Sequence, residues 1–197
     1  MNRNLILVRH GRSTWNLENK FTGWVDVDLA EMGIVEAKKS GSLINDINFK
    51  PQICFTSYLK RAQDTLTYIL NELEDNISSD VIKNWALNER HYGGLQGLNK
   101  DDTLKKYGEE QFLKWRRSYD SPPPKLDSNS KMNPNNDPKY KDLKDIKLPL
   151  TECLKDTYER VIPYWKETIL PSLLKSDVLI VAHGNSLRAL CKGLFNI

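Results

Sequence analysis

The 197 residues carry 29 basic and 26 acidic side chains, a net charge of +3, and 39% of them are hydrophobic. That balance excludes the concentrated basic excess of a nucleic-acid footprint, and the composition is that of a globular chain long enough to bury a sizeable core. No apolar stretch reaches the roughly 20 residues that span a bilayer, so no membrane association is expected.

Met1-Asn2-Arg3-Asn4 leads straight into the apolar run Leu5-Ile6-Leu7-Val8, with no address tag, and Arg9-His10-Gly11 follows. Ile34, Ala37, Leu43, Ile44 and Ile47 predict a helix over about 30–47, and Gln52 to Ser57 a second strand. Ser57 reads as the N-cap of a helix from Leu59 to Leu73, with Leu66, Ile69, Leu70 and Leu73 on one side. Asp80-Val81-Ile82 starts another short strand that leads into Trp85-Ala86-Leu87-Asn88-Glu89. Apolar runs alternating with helical patterns predict βαβ units and a three-layer α/β/α sandwich around a mostly parallel sheet.

From about 91 to 149 the pattern changes. A helix is expected over about 100–115, then Pro122-Pro123-Pro124 and a polar stretch from Asp127 to Lys141, a composition that favours turns and extended chain. This segment reads as an insertion that covers a pocket, although 125–147 alone fits an uninvolved surface loop equally well. A long helix follows, with Thr151 as N-cap, an end near Leu174 and a kink at Pro163. Val178 to Ala182 forms the last apolar run, His183-Gly184 follows it, and a final helix starts at about Ser186. Cys54, Cys153 and Cys191 lie far apart with no paired metal-ligand spacing; they read as free thiols, which places the chain in the cytoplasm as a single domain.

Two of the three histidines, His10 and His183, therefore close the same kind of strand. Ligands of open α/β sheets gather at the carboxyl ends of parallel strands, so both imidazoles are expected to face one pocket. One such histidine alone reads equally well as a hydrogen-bonded core residue; the repeat, with Arg9 beside it, favours chemistry. A neutral imidazole nitrogen attacks phosphorus when cations hold the equatorial oxygens. Arg9 and Arg61 are the candidate cations, His183 is a candidate donor to the transferring group, and backbone donors after Gly11 and Gly184 are candidate anion sites. Glu89 is the candidate general acid/base, its proton affinity raised by like charge beside a phosphorylated histidine. Taken alone Glu89 fits a surface ion pair; its place inside Asn88-Glu89-Arg90-His91-Tyr92-Gly93-Gly94 argues for the catalytic role.

These residues carry a family resemblance. Leu7 to Gly11, Ser13, Trp15-Asn16, Phe21 to Leu29, Thr56 to Ala62, Leu87 to Lys100, Trp115-Arg116-Arg117, Leu148 to Glu152, Arg160 to Trp165 and Ala182 to Arg188 resemble the cofactor-dependent phosphoglycerate mutases of the histidine phosphatase superfamily. Arg-His-Gly alone marks the superfamily; Asn-Glu-Arg-His-Tyr-Gly with the Arg116-Arg117 pair points to the mutases. The resemblance implies a glycolytic enzyme that interconverts 3-phosphoglycerate and 2-phosphoglycerate. His10 would be phosphorylated by 2,3-bisphosphoglycerate, Glu89 would be the acid/base, and Arg9, Arg61 and His183 would bind the transferring group. Ser13, Asn16, Thr22, Gly23, Arg90, Tyr92, Lys100, Arg116, Arg117, Gly184 and Asn185 would line the site around the substrate's carboxylate and second phosphate. It also implies small phosphorylated three-carbon acids as ligands, no metal, and self-association.

Two features depart from the family pattern. Arg12 stands where the family usually has Glu or Gln, and it either tightens anion binding or turns outward. The family also continues past Phe195-Asn196-Ile197 with a helix, a strand and a mobile tail, which this sequence does not include. The rival readings are a phosphatase of the same superfamily, with water as acceptor, and a catalytically silent module that binds phosphorylated ligands. Bisphosphoglycerate synthesis is the same chemistry with a different balance of rates.

Overall fold

The computed structural model describes residues 3–73, 79–143 and 145–197. Its centre is β4 (Val178–Ala182), all five residues of which are fully buried. A continuous apolar run suits a strand covered on both faces. β1 (Leu5–Arg9) pairs with one side of β4, and β2 (Ile53–Thr56) with the other; β3 (Asp80–Lys83) extends the sheet beyond β2. The order is β1-β4-β2-β3, and every pairing is parallel.

Alternate side chains of each strand enter opposite layers. Val178, Ile180 and Ala182, with Leu5, Leu7, Ile53 and Phe55, pack against Val161, Ile162 and Trp165 on one face and Ala189 and Leu190 beside them. Leu179, Val181, Ile6, Val8 and Cys54 pack on the other face against Ile44, Leu66 and Ile69. The first layer is α6 (Leu154–Tyr164) and α8 (Gly184–Phe195); the second is α2 (Glu31–Asp46) and α3 (Lys60–Asn71). The expected α/β/α sandwich is observed.

Several boundaries differ from the sequence reading. In α2 the buried stripe is Gly33, Ala37, Gly41 and Ile44, whereas Leu43 and Ile47 are exposed. Small residues let the helix lie close to its neighbours: a Cβ on Gly41 would stand 2.8 Å from the Ile69 carbonyl oxygen. Ser57 does not cap α3. Leu59 holds the N-cap position without a side-chain bond, and the Ser57 hydroxyl accepts from the Leu59 amide.

The expected helix over 100–115 is two helices, α4 (Lys100–Tyr107) and α5 (Glu109–Arg117), separated by Gly108 at φ +78°, a left-handed conformation that glycine adopts without strain. α6 starts after Cys153, not at Thr151, because Asp156 reaches back to the Cys153 amide and the Thr151 hydroxyl donates to the Pro123 carbonyl. The irregularity expected at Pro163 takes the form of a π-helical turn, Trp165–Ile169, which continues into a short α7 (Leu170–Leu173). That wide turn lies between Pro163 and Pro171, two residues that lack the amide an α-helical ladder requires. The stretch expected as a surface loop is anchored within its described residues: Tyr140 is buried with Trp24 and Leu59, Leu143 packs against them, and Tyr140 accepts from Asn88 Nδ2 at 3.0 Å.

The loop after β1 crosses the first turn of α2 at Gly33, where a Cβ would stand 2.0 Å from the Arg12 carbonyl oxygen. Helix propensity alone makes Gly33→Ala stabilising by about 1 kcal/mol. The contact with rigid backbone reverses the sign, so urea unfolding is expected to show a net loss of about 2 kcal/mol.

Candidate active site

The parallel register sets Arg9 beside Ala182, and the His10 amide donates to the Ala182 carbonyl at 2.9 Å. The next residue on each strand is a histidine, and the two rings lie 4.9 Å apart, centroid to centroid. His10 Nδ1 stands 2.6 Å from the Gly11 carbonyl oxygen, which only accepts, so Nδ1 carries the proton and Nε2 keeps its lone pair. Arg61 Nε, 3.4 Å away, points its N–H at that lone pair. Burial, then Arg61 and Arg9, hold the His10 pKa well below its ordinary value, so the ring is neutral at pH 7.

His183 is fully buried, and burial together with Arg61 and His10 keeps it neutral too. Its Nε2 lies 2.7 Å from Ser57 Oγ, which also accepts the Leu59 amide at 3.1 Å. If Ser57 donates to Nε2, the His183 proton sits on Nδ1 and one buried group lacks a partner; the opposite tautomer leaves two. The first is favoured because each buried unsatisfied polar group costs about 1–3 kcal/mol. Nδ1–H is then a buried donor with no acceptor among the described residues.

Arg61, the second residue of α3, is fully buried, and its guanidinium donates to the carbonyls of Gly23 at 2.8 Å and Val25 at 3.1 Å. Burial lowers its pKa to about 10, which still leaves it charged at neutral pH. Thr65, one turn on, accepts the Gly11 amide and so ties α3 to the loop that carries His10. The amides that follow are taken as well, Arg12's by the Glu36 carboxylate and Ser13's by Asn16 Oδ1, so the anion site expected after Gly11 is not formed. Glu89 stands after a short 3-10 turn, Trp85–Leu87, and not at the end of β3. Its Oε1 accepts the Arg90 amide at 2.7 Å and the Asn185 amide, at the start of α8, at 3.2 Å. A Cβ on Gly184 would lie 3.7 Å from Arg9 Nε and 3.9 Å from Glu89 Oε2, so the bare glycine leaves the floor between them open.

These groups open into a cavity of about 310 Å³. Of the residues expected from the sequence, Arg9, His10, Asn16, Thr22, Gly23, Arg61, Glu89, Tyr92, Lys100, Arg116, Arg117, Gly184 and Asn185 line it. Ser13 does not: its hydroxyl caps α1 (Thr14–Leu17) in a reciprocal pair with Asn16. Arg90 lies behind the wall, stacked 4.6 Å from the Tyr92 ring centroid and directed at the Arg116 carbonyl. His183 sits beneath the cavity, against His10. Lys20, Phe21 and Arg188 line it as well. Lys20 was legible as the residue before Phe21 and Thr22; nothing in the local pattern of α8 distinguishes Arg188.

The insertion contributes only its first part. Tyr92, Lys100, Arg116 and Arg117 reach the cavity, whereas no described residue of 118–149 lines it, because Tyr140, Leu143 and Leu148 pack instead with Trp24 and Leu59. Arg12 turns outward to an exposed ion pair with Glu36 at 3.0 Å.

The lining holds seven cations, Arg9, Lys20, Arg61, Lys100, Arg116, Arg117 and Arg188, against one carboxylate, Glu89. Burial, then Arg116 and Arg9, lower the pKa of Lys100. Cations packed so closely suit a multiply charged anion, and planar guanidinium forks suit phosphate and carboxylate. Among the described residues no cluster of His, Cys, Asp and Glu is arranged to hold a metal ion, and no helix is long and apolar enough to cross a membrane.

Two buried histidines at adjacent parallel strand ends, with an arginine before the first, are the arrangement the histidine phosphatase superfamily resemblance implies. The profile of the histidine phosphatase superfamily (branch 1) matches residues 5–134. A 2,3-bisphosphoglycerate-dependent phosphoglycerate mutase from Parabacteroides distasonis is 52% identical over 196 residues, covering 99% of this chain and 79% of its own. The protein of the same name from Corynebacterium kroppenstedtii is 54% identical over 197 residues, covering 100% of this chain and 78% of its own. The chain belongs to the 2,3-bisphosphoglycerate-dependent phosphoglycerate mutase family. Solved structures share the fold at lower identity: mycobacterial hydrolase 1 (TM-score 0.73, 22% identity, 99% of this chain and 79% of that one) and the mycobacterial glucosyl-3-phosphoglycerate phosphatase Rv2419c (TM-score 0.71, 21% identity, 99% and 80%).

The buried imidazoles also set a pH dependence. His91, behind the site, accepts the Gly93 amide at Nδ1, and burial, then Arg160, lower its pKa to about 3. An unfolded histidine binds a proton below about pH 6.5, so this stability is complete above that pH and declines as pH falls toward the folded value. Urea unfolding between pH 6.5 and 5 is expected to show it, and His91→Asn, which keeps an acceptor for Gly93, is expected to remove about one proton, ~1.4 kcal/mol per pH unit, from the slope.

Proposed function

We propose that this chain interconverts 3-phosphoglycerate and 2-phosphoglycerate through a phosphohistidine at His10. The observation that carries the reading is the unprotonated Nε2 of His10, fixed by the Nδ1 bond to Gly11, at the foot of a cavity lined by seven cations. The residues present suit 2,3-bisphosphoglycerate: its two phosphates and carboxylate demand several cations, and the partnerless Nδ1–H of His183 supplies a donor beside His10. When bound, that compound supplies the phosphoryl group that primes the enzyme.

The His10 Nε2 lone pair forms the N–P bond as the ester P–O bond breaks. Arg9 and Arg61 hold the equatorial oxygens, and His183 Nδ1–H donates to them as charge spreads in the transition state. Glu89 gives its proton to the departing oxygen, then takes one from the hydroxyl that receives the group back, and the N–P bond breaks. Asn16, Thr22, Gly23, Tyr92, Gly184 and Asn185 shape the pocket. Lys100, Arg116 and Arg117 retain the charged intermediate while it turns over, which favours the mutase over the phosphatase. Ser13 and Arg90 act from behind the wall, through the α1 cap and Tyr92. We place the enzyme in the cytoplasm as a single catalytic domain over 1–197, the first part of its insertion at about 91–149 forming one wall of the site, and acting as a homo-oligomer.

The test is intact mass and peptide mapping after brief exposure to 2,3-bisphosphoglycerate, then a chase with 3-phosphoglycerate. Phosphate on His10 that moves to the substrate supports the mutase; release as inorganic phosphate supports the phosphatase, and no label contradicts both. Glu89→Gln is expected to lower kcat by about 10²–10⁴-fold. Arg12→Gln is expected to leave 2,3-bisphosphoglycerate affinity unchanged, because Arg12 pairs with Glu36 outside the cavity.

A further inference from the structure

We propose that the Arg160–Glu152 ion pair is a positioning device for Glu89; the inference rests on the acid/base reading of Glu89 given above. Neither residue lines the cavity. Arg160 Nε and Nη2 donate to the Glu152 carboxylate at 2.6 and 2.9 Å, and both side chains are almost wholly buried. Replacing such a pair by apolar groups is often neutral or stabilising, so fold stability alone does not account for it. What it does geometrically is close around one segment of chain.

Arg160 Nη1 donates to the Ala86 carbonyl at 2.6 Å, Nη1 and Nη2 to the Asn88 carbonyl at 3.1 Å, and Nη2 to the Glu89 carbonyl at 2.9 Å. Glu152 takes hold just beyond: its carboxylate accepts the His91 amide at 2.8 Å, and its own amide donates to the His91 carbonyl at 2.8 Å. Glu89 thus lies between two anchored points. The guanidinium itself is set against Trp24 and Trp85, its carbon 5.6 and 5.8 Å from their ring centroids, and Trp24 Nε1 also donates to the Glu89 carbonyl.

The decisive unit is the peptide between Glu89 and Arg90. Its carbonyl is held by Arg160 and Trp24, and its N–H donates to the Glu89 carboxylate at 2.7 Å. The peptide is planar, so fixing the carbonyl fixes the direction of the N–H, and with it the carboxylate oxygen that accepts. Rotation of this one plane would swing the carboxylate away from the Asn185 amide and from the space above Gly184. Lysine cannot substitute, because it has three donors on a point charge and no planar fork.

The test is a double-mutant cycle on kcat with Arg160→Met and Glu89→Gln, and a parallel cycle with Glu152→Gln in case the first variant does not fold. Orthovanadate affinity is measured alongside, because it reports the His10, Arg9 and Arg61 end of the site. Arg160→Met is expected to lower kcat by about 10–100-fold, with KM and vanadate affinity changed less than about threefold, and to cost less than about twofold once Glu89 is Gln. Equal losses in both backgrounds, or a loss carried by KM or vanadate affinity, would overturn the inference and leave the acid/base reading intact. A Glu89→Gln enzyme with full kcat would overturn that reading and the inference with it.

Discussion

The pairing of β1 with β4 is the constraint on which the site depends. The register that sets Arg9 beside Ala182 makes His10 and His183 the next residues on two neighbouring parallel strands. Because β4 is the central strand and fully buried, neither histidine can move without disturbing the core of both layers. β2, on the other side of β4, ends at Thr56, whose hydroxyl donates to the Val181 carbonyl at 2.8 Å, and the next residue, Ser57, meets His183. Three strands therefore deliver His10, His183 and the serine that meets His183 to one edge of the sheet.

Electrostatics explain why this arrangement suits an anion. Burial keeps both imidazoles neutral, so the deepest part of the site offers a lone pair and an N–H, not positive charge. The cations stand around them, at the end of β1, after α1, in the first turn of α3, at the start of α4, at the end of α5, and in α8. With one carboxylate among seven cations, the lining carries like charges whose mutual repulsion a multiply charged anion offsets. Glu89 keeps its place in that field through two backbone amides, so its carboxylate is held without being paired to an arginine side chain.

Much of this was legible in the sequence, where chemistry and periodicity coincide. The apolar runs before His10 and His183 marked buried parallel strands, and glycine, histidine and arginine at their ends marked the ligand edge. Other elements were hidden for physical reasons. The buried face of α2 is carried by Gly33 and Gly41, whose role is the absence of a side chain, so a hydrophobicity pattern passes over it. The polar stretch after Pro124 looked solvated because its few anchors, Leu126, Tyr140 and Leu148, are spaced without a period and dock on residues distant in sequence. Ser13 and Arg90 carry the residue types of a ligand site, but the Ser13 hydroxyl is spent on the α1 cap and the Arg90 guanidinium lies behind the wall, stacked on Tyr92. Arg188 reaches the cavity only because α8 starts at the strand end.

The chemistry proposed for His10 depends on the protonation state of its ring, and nitrogen-15 NMR of the histidine side chains at pH 7 reads it directly. The expected result is a neutral His10 with its proton on Nδ1 and an unprotonated Nε2. An imidazolium at pH 7, or a neutral ring protonated at Nε2, would contradict the account, because neither leaves a lone pair facing the cations.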